Sequence, residues 1–325
     1  MKILFVIHSY PNYVPDLLLH GLRKLLGTDV VDYPRKDCLY QGVLGLGVCA
    51  KDQLCPGWFP ACEDRLDRED IPQKVVGGYY DFVICDARAL QFFYRLLGGL
   101  PEKLVVVDGE DRPLHIPPES YLICRRETDG TDFSLPLPMA LPEEVMHWIG
   151  SYDGISKEYS IGFLGSCSNG RRVEIAEALT KFYPDALFQT SAVPTDQTPS
   201  PGGRLSRDEY YLTLQKCRIV LSLVGAGYDT FRFWEHAACN AVHVSDRMPL
   251  FIPNDFEEEK QIFRFTKLDE LRNVIDRILE KNFDHRHFID SAREHLTNFH
   301  LTTERAKYFL DRVAKAYKLK TKRHL

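Results

Sequence analysis

Short runs of consecutive apolar residues alternate with stretches that carry apolar residues at helical spacing. Residues 2–7 open the chain as one such run, and residues 29–33, 80–85 and 103–107 repeat it. These runs are rich in Val, Ile and Leu, as strands covered on both faces are. Between them, residues 16–26 place Leu17, Leu18, Leu22, Leu25 and Leu26 on one helical side, closed by Gly27. Residues 89–97 read as a second helix, ended by Gly98-Gly99, and residues 121–124 as a further short strand. The segment 135–138 is held extended by its prolines. A linker is expected over residues 139–157, which hold Pro142, Gly150 and Gly154.

The alternation then starts again. Residues 159–164 read as a strand, 173–182 as a helix and 187–190 as a short strand. Residues 192–206 form a Pro/Gly/Ser/Thr-rich connection. Ser206-Arg207-Asp208-Glu209 carries a capping-box pattern and starts a helix that brings in Tyr210, Tyr211, Leu214 and Cys217. Strands at 218–224, 240–246 and 260–265 follow, with helices at 231–239, 268–279 and 288–299. A last helix capped by Thr302 or Thr303 runs to about residue 318. Two successive strand–helix series predict two doubly wound α/β domains.

In such sheets ligands bind beyond the carboxyl ends of the strands. His8, Ser9 and Tyr10 follow the first strand, Asp86 the one at 80–85, and Asp108-Gly109-Glu110-Asp111 the one at 103–107. In the second series Gly165-Ser166-Cys167-Ser168-Asn169-Gly170-Arg171 joins strand to helix, a composition able to cradle a diphosphate. The stretch from 218 to 246 is the most informative. It runs from an apolar strand into Gly225-Ala226-Gly227-Tyr228-Asp229-Thr230, then a helix with Arg232 and Glu235 three apart on one face, then a strand ending at Asp246. An arginine there suits a phosphate, and a carboxylate suits sugar hydroxyls.

That stretch resembles the donor-binding motif of GT-B glycosyltransferases, most of all the exostosin-type and CgeB-like (spore-maturation-protein-like) families. The matching residues are Thr230, Arg232, Glu235, Ala237, Ala238, Cys239, Val242 and Asp246, and Gly165, Ser166 and Arg171 match the opening of the second domain. Asn240 stands where glycine is usual, and His243 where many retaining members carry a second glutamate. The resemblance covers mainly residues 160–280. It implies a GT-B-like α/β fold of two doubly wound Rossmann-like domains facing a cleft. Residues 1–148 would then be the acceptor side, 149–300 the nucleotide-sugar donor-binding domain, and 301–325 a helix returning to the first domain. It implies that Glu235 holds the donor ribose and Arg232 a phosphate, with Gly165, Ser166, Arg171, Gly227, Tyr228 and Thr230 around them.

The activity expected is glycosyl transfer from a nucleotide-diphosphate sugar, of which a UDP-sugar is the first choice, to a carbohydrate or other hydroxyl-bearing acceptor. No metal and no cofactor is expected, because arginines and helix N-termini would neutralise the leaving diphosphate. His8, Asp108 and Glu110 are the candidate catalytic bases, with Asp86 beside them. Two alternatives stay open: a nucleotide-sugar epimerase of the same shape, and a non-catalytic nucleotide-sugar-binding protein. The first strand lacks a following Gly-x-Gly-x-x-Gly, which argues against a Rossmann dehydrogenase.

Composition narrows the partners. The net charge of -5 over 325 residues disfavours a general polyanion binder such as a nucleic-acid protein. No run reaches the about 18 apolar residues that span a bilayer, and the first strand lacks the features of a signal peptide. A cytoplasmic protein is therefore expected, with its nine cysteines mostly reduced. Cys38, Cys49, Cys55 and Cys62 fall in an irregular stretch, residues 35–72, without the paired spacing of a zinc site. The aromatics Tyr40 and Trp58 in the same stretch have two readings: stacking on an acceptor sugar, or forming a small core under a loop.

Overall fold

The computed structural model describes residues 1–42, 57–61, 66–116, 121–166, 169–191 and 205–318. Cys49, Cys55, Cys62, most of the 192–206 connection and residues 319–325 lie outside the described residues. The chain divides into two compact units: Met1–Pro142 with Leu250–Pro253 and Leu301–Leu325, and Glu143–Pro249 with Asn254–His300.

In the first unit the strands are β1 (Ile3–Val6), β2 (Val30–Tyr33), β3 (Phe82–Asp86), β4 (Leu104–Asp108), β5 (Leu122–Arg125) and β6 (Leu135–Pro136). They form one six-stranded sheet in the order β2-β1-β3-β4-β5-β6, and every pairing is parallel. β1, β3 and β4 are buried throughout, which explains why they read as unbroken apolar runs. The helices are α1 (Tyr13–Leu26), α2 (Ile71–Val76) and α3 (Leu90–Leu97). α1 begins three residues before the position that periodicity marks. Pro15 falls in its first turn, where a missing N–H costs nothing.

Among the described residues, six further helices and five strands make up the second unit, and one helix after it belongs to the first. The second unit opens with α4 (Glu143–Gly150), then β7 (Tyr159–Ser166), α5 (Gly170–Phe182), β8 (Leu187–Ser191), α6 (Arg207–Gln215) and β9 (Cys217–Ser222). It continues with α7 (Phe231–Ala238), β10 (Val242–Asp246), β11 (Phe263–Phe265), α8 (Leu268–Leu279) and α9 (His285–Phe299). Its five-stranded sheet has the order β11-β10-β9-β7-β8, again with every pairing parallel. Val242, Val244, Ile219, Leu221, Phe163 and Phe265 anchor its core. α10 (Thr302–Tyr317) packs on α1 of the first unit. The approach is close: a β-carbon at Gly21 would collide with the Thr302 carbonyl.

Several expectations are corrected. The linker over 139–157 contains α4, whose Val145 and Ile149 are buried four apart. The strand expected at 260–265 keeps only Phe263–Phe265, and the one at 218–224 stops at Ser222. The capping box at Ser206 forms. Neither Thr302 nor Thr303 caps α10. Leu301 stands at its N-cap, and the Thr302 hydroxyl is 2.8 Å from His20 Nδ1. Tyr40 is buried and its hydroxyl donates to Asp32 at 2.8 Å, so it has no face to offer a sugar. Trp58 lies against His20, with ring centroids 4.3 Å apart. The small-core reading therefore holds for Tyr40, while Trp58 is half-buried.

Candidate functional site

Each sheet has a topological switch point, where the chain leaves one strand in one direction and returns to its other side. In the second unit it falls between β7 and β9. Crevices for ligands form beyond the carboxyl ends of strands at that place. β7 ends in Gly165 and Ser166, and β9 leads into the Leu223–Thr230 loop before α7.

Arg172, at the start of α5, ties the two strand ends together. Its guanidinium donates to the carbonyls of Ser166 (2.8 Å), Leu223 (2.8 Å) and Val224 (2.9 Å), and only 2% of the residue is exposed. Asn169 caps α5 by accepting from the Arg172 N–H, and its own amide donates to the Val224 carbonyl. Sequence reading singled out Arg171 and passed over Arg172. The signal was present, since Arg172 falls three and seven residues before the buried Ile175 and Leu179.

Arg171 points elsewhere. It forms an ion pair with Asp246 at the end of β10, at 2.5 Å, and also donates to the Thr266 carbonyl. The other Asp246 oxygen accepts the Val224 N–H at 3.0 Å. The acidic end of β10 therefore fixes the loop that follows β9. Within that loop the Gly225 N–H donates to the Gly227 carbonyl, and Trp234 Nε1 donates to the buried Asp229 at 2.8 Å. Tyr228 is 45% exposed at the loop tip. Thr230 is the N-cap of α7 without a side-chain bond to the helix.

Arg232 sits in the first turn of α7 and is half-buried. Its guanidinium lies over the Phe163 ring, 5.9 Å from the centroid, against the end of β7. A β-carbon at Gly165 would stand 3.0 Å from the Arg232 guanidinium carbon, so only glycine leaves that approach unstrained. Arg232 Nε is buried and has no hydrogen-bond partner among the described residues. Thus Gly165, Ser166, Thr230 and Arg232 are brought to one place.

Glu235 is buried one turn further on. Its Oε1 accepts the Tyr211 hydroxyl at 2.8 Å and its Oε2 the Tyr210 hydroxyl at 3.2 Å. Burial, then the Glu235 charge, raises both phenol pKa values far above their usual range, so both hydroxyls stay protonated donors. The sequence placed Tyr210 and Tyr211 on α6 but gave no sign of this contact, because it joins two helices. His243, at the position of the second glutamate of retaining families, is buried inside the sheet. Its Nε2 is 2.8 Å from Ser222 Oγ, whose other neighbour is His236 Nδ1 at 2.9 Å. Burial lowers both imidazoles, His243 to about 3.

The switch point of the first unit lies between β1 and β3. Lys36 is fully buried there and donates to the carbonyls of His8 and Tyr10, both at 2.6 Å, with Asp16 Oδ1 at 3.0 Å. Asp86 accepts the N–H groups of His8 and Arg88. Burial raises Asp86, and raises Asp16 to about 6 against the opposing pull of Lys36. His8 Nδ1 accepts the Tyr10 N–H at 3.2 Å, which places the proton of a neutral ring on Nε2. Asp108 is buried and accepts the N–H groups of Glu110 and Leu114. Burial raises its pKa as well. Glu110 Oε1 accepts from Asn12 and pairs with Arg88, while no described residue bonds Oε2.

Residues 171–311 match a glycosyl transferase-like family model. No curated protein is similar at a significant level. Solved structures of similar fold include a glycosyltransferase from Rickettsia africae, 10% identical, with TM-score 0.58 over 98% of this chain and 99% of that one. Another is Anabaena HepE in complex with UDP and glucose, 12% identical, TM-score 0.59, covering 97% and 99%. A third is sucrose-phosphate synthase from Thermosynechococcus elongatus, 9% identical, TM-score 0.60, covering 98% and 100%. No helix of the described residues is long and apolar enough to cross a membrane. With two parallel α/β sheets of GT-B type and a glycosyl transferase-like domain over residues 171–311, the chain is an enzyme of the glycosyltransferase class.

Proposed function

We propose that the chain transfers a sugar from a nucleoside-diphosphate sugar, a UDP-sugar in the first instance, to a hydroxyl-bearing acceptor. The donor lies beyond the carboxyl ends of β7 and β9, in the manner of the exostosin-type and CgeB-like families. The observation that carries this reading is Arg232. A guanidinium with an unpartnered buried Nε stands at the start of a helix, against a glycine that leaves it room. Helix N-termini favour anions, and a guanidinium matches phosphate oxygens in pairs. Glu235, one turn on, supplies acceptor oxygens for a ribose diol. The complex of HepE with UDP supports uridine as the base.

Neutralisation of the leaving diphosphate falls to Arg232 and the α7 N-terminus, and the scheme invokes no metal ion. For the acceptor proton, the first unit offers His8, Asp108 and Glu110. Glu110 is the best placed of the three, because one of its oxygens is open while Arg88 and Asn12 hold the other. Asp108 is engaged in its own loop, and the His8 lone pair at Nδ1 is engaged by Tyr10.

The test is release of UDP from UDP-glucose and other UDP-sugars in the presence of a panel of sugar acceptors. Release is expected to depend on acceptor, and Glu235→Gln, which keeps shape and loses charge, is expected to weaken UDP binding by about tenfold. Unchanged UDP affinity in Glu235→Gln would remove the carboxylate from the donor site. Sugar interconversion without UDP release would point to the epimerase.

A further inference from the structure

Glu235 is held in a way that its role in nucleotide binding does not require. Only 7% of the residue is exposed, and both carboxylate oxygens accept tyrosine hydroxyls from consecutive residues of α6. The two tyrosines are not equivalent. Tyr211 is fully buried, 2.8 Å from Oε1, with its ring edge-on to Trp148 at 5.4 Å and Arg207 Nη1 at 3.5 Å from its hydroxyl. Tyr210 is half-buried, its hydroxyl is farther from its oxygen at 3.2 Å, and it adjoins the Arg232 charge. Consecutive helical residues diverge by about 100°, so α6 brings the two hydroxyls to different oxygens of the same carboxylate, and Tyr210 is the one beside Arg232.

We propose that Tyr211 is a positioning residue that fixes the plane of the Glu235 carboxylate for the ribose. Tyr210 then occupies the place of a ribose hydroxyl and is displaced from Glu235 when nucleotide binds. The proposal rests on the donor-site reading above. A carboxylate oxygen accepts two hydrogen bonds, so Tyr211 can stay on Oε1 while a ribose hydroxyl also bonds there. A buried carboxylate left without partners is costly. The Tyr210 hydroxyl keeps Glu235 satisfied in the empty protein and yields to a sugar hydroxyl of the same chemistry. Such an exchange makes ribose recognition sharp: a nucleotide lacking the 2′-hydroxyl gains nothing by displacing Tyr210.

The experiment is calorimetric titration of the full chain with UDP and with 2′-deoxy-UDP, for wild type, Tyr211→Phe and Tyr210→Phe, with melting temperatures alongside. Wild type is expected to prefer UDP by about tenfold. Tyr211→Phe is expected to shrink that preference several-fold, whereas a purely structural loss would weaken both nucleotides alike and leave the ratio unchanged. Tyr210→Phe is expected to keep or raise the preference and to tighten UDP, because no hydroxyl needs to leave. A wild-type preference that survives in Tyr211→Phe, or a Tyr210→Phe chain that binds UDP more weakly, overturns this inference while leaving the donor site in place. A wild-type chain that binds both nucleotides equally, or neither, overturns the ribose contact itself and this inference with it.

Discussion

The two sheets share one topology, and their switch points are finished with opposite chemistry. At the end of β1 and β3 the first unit gathers Asp16 and Asp86 near a buried Lys36, while Glu110 on the flanking loop pairs with Arg88. The Lys36 ammonium donates to the carbonyls of His8 and Tyr10 and forms an ion pair with Asp16 at 3.0 Å. At the end of β7 and β9 the second unit gathers Arg171, Arg172 and Arg232. Two of these are engaged: Arg172 on three carbonyls and Arg171 on Asp246. The Nε of the third is not. Charge near a strand end is therefore not in itself a sign of a ligand site. What distinguishes Arg232 from Arg171 and Arg172 is a buried Nε without a partner among the described residues. Arg125 at the end of β5 shares that feature, but its Nε lies 3.6 Å from the Asp108 carboxylate.

The largest expected effect tests the first edge. Lys36→Met removes a charge that the buried Asp16 carboxylate and the carbonyls of His8 and Tyr10 depend on. Breaking a buried pair from one side typically costs about 3–5 kcal/mol. Chemical denaturation of Lys36→Met should show a loss of that order. A loss below about 1 kcal/mol would mean that the first edge tolerates an unpaired carboxylate and is less structural than its bonds imply.

Next in size is the matching change in the second unit. Arg232→Gln should weaken UDP binding by about tenfold to a hundredfold, since a hydrogen bond to a charged group is worth about 1.5–3 kcal/mol. Its melting temperature should move by no more than a few degrees, because no described residue bonds the Nε it removes. Equal losses of stability in Lys36→Met and Arg232→Gln would erase the distinction between the two edges. Gly165→Ala offers a finer probe. The added methyl reaches 3.0 Å from the Arg232 guanidinium carbon and must push it aside, so UDP affinity should fall several-fold without unfolding.

The parallel strands were legible because burial on both faces writes itself as unbroken apolar runs; β4 and β10 are examples. α7 and its Arg232 and Glu235 were legible because a helix face repeats locally in sequence. What escaped is non-local. Tyr211 meets Glu235 across 24 positions, and Arg171 meets Asp246 across 75. No periodicity encodes such pairs, so Arg171 read as a phosphate ligand although a strand-end carboxylate holds it. α4 escaped for another reason. Its eight residues follow Pro142 and end in Gly150, which read as punctuation of a linker. In the first unit, strand ends marked His8, Asp108 and Glu110 as candidate bases, but only the folded chain shows which of their atoms are already engaged.

The smallest expected effect concerns acid, and the two units should respond with opposite sign. His236 and His243 flank Ser222 at the end of β9, and burial holds both below the ordinary value of 6.5. A histidine depressed in the folded state binds its proton more readily when unfolded, so stability falls as pH drops through 6.5. Between pH 7 and 6 each contributes a loss of about 0.7 kcal/mol. Asp16 is raised to about 6, so the folded form takes up its proton first. Its contribution rises over the same interval, by about half as much. Acid should therefore loosen the second unit before the first. Amide hydrogen exchange at pH 7 and 6, corrected for the intrinsic rate, would show protection falling on β9 and α7 and holding on β1 and β3. Uniform loss across both sheets would mean that these buried groups do not govern the response. The imidazole nitrogen resonances of His236 and His243 supply a direct check: both rings should remain neutral at pH 6.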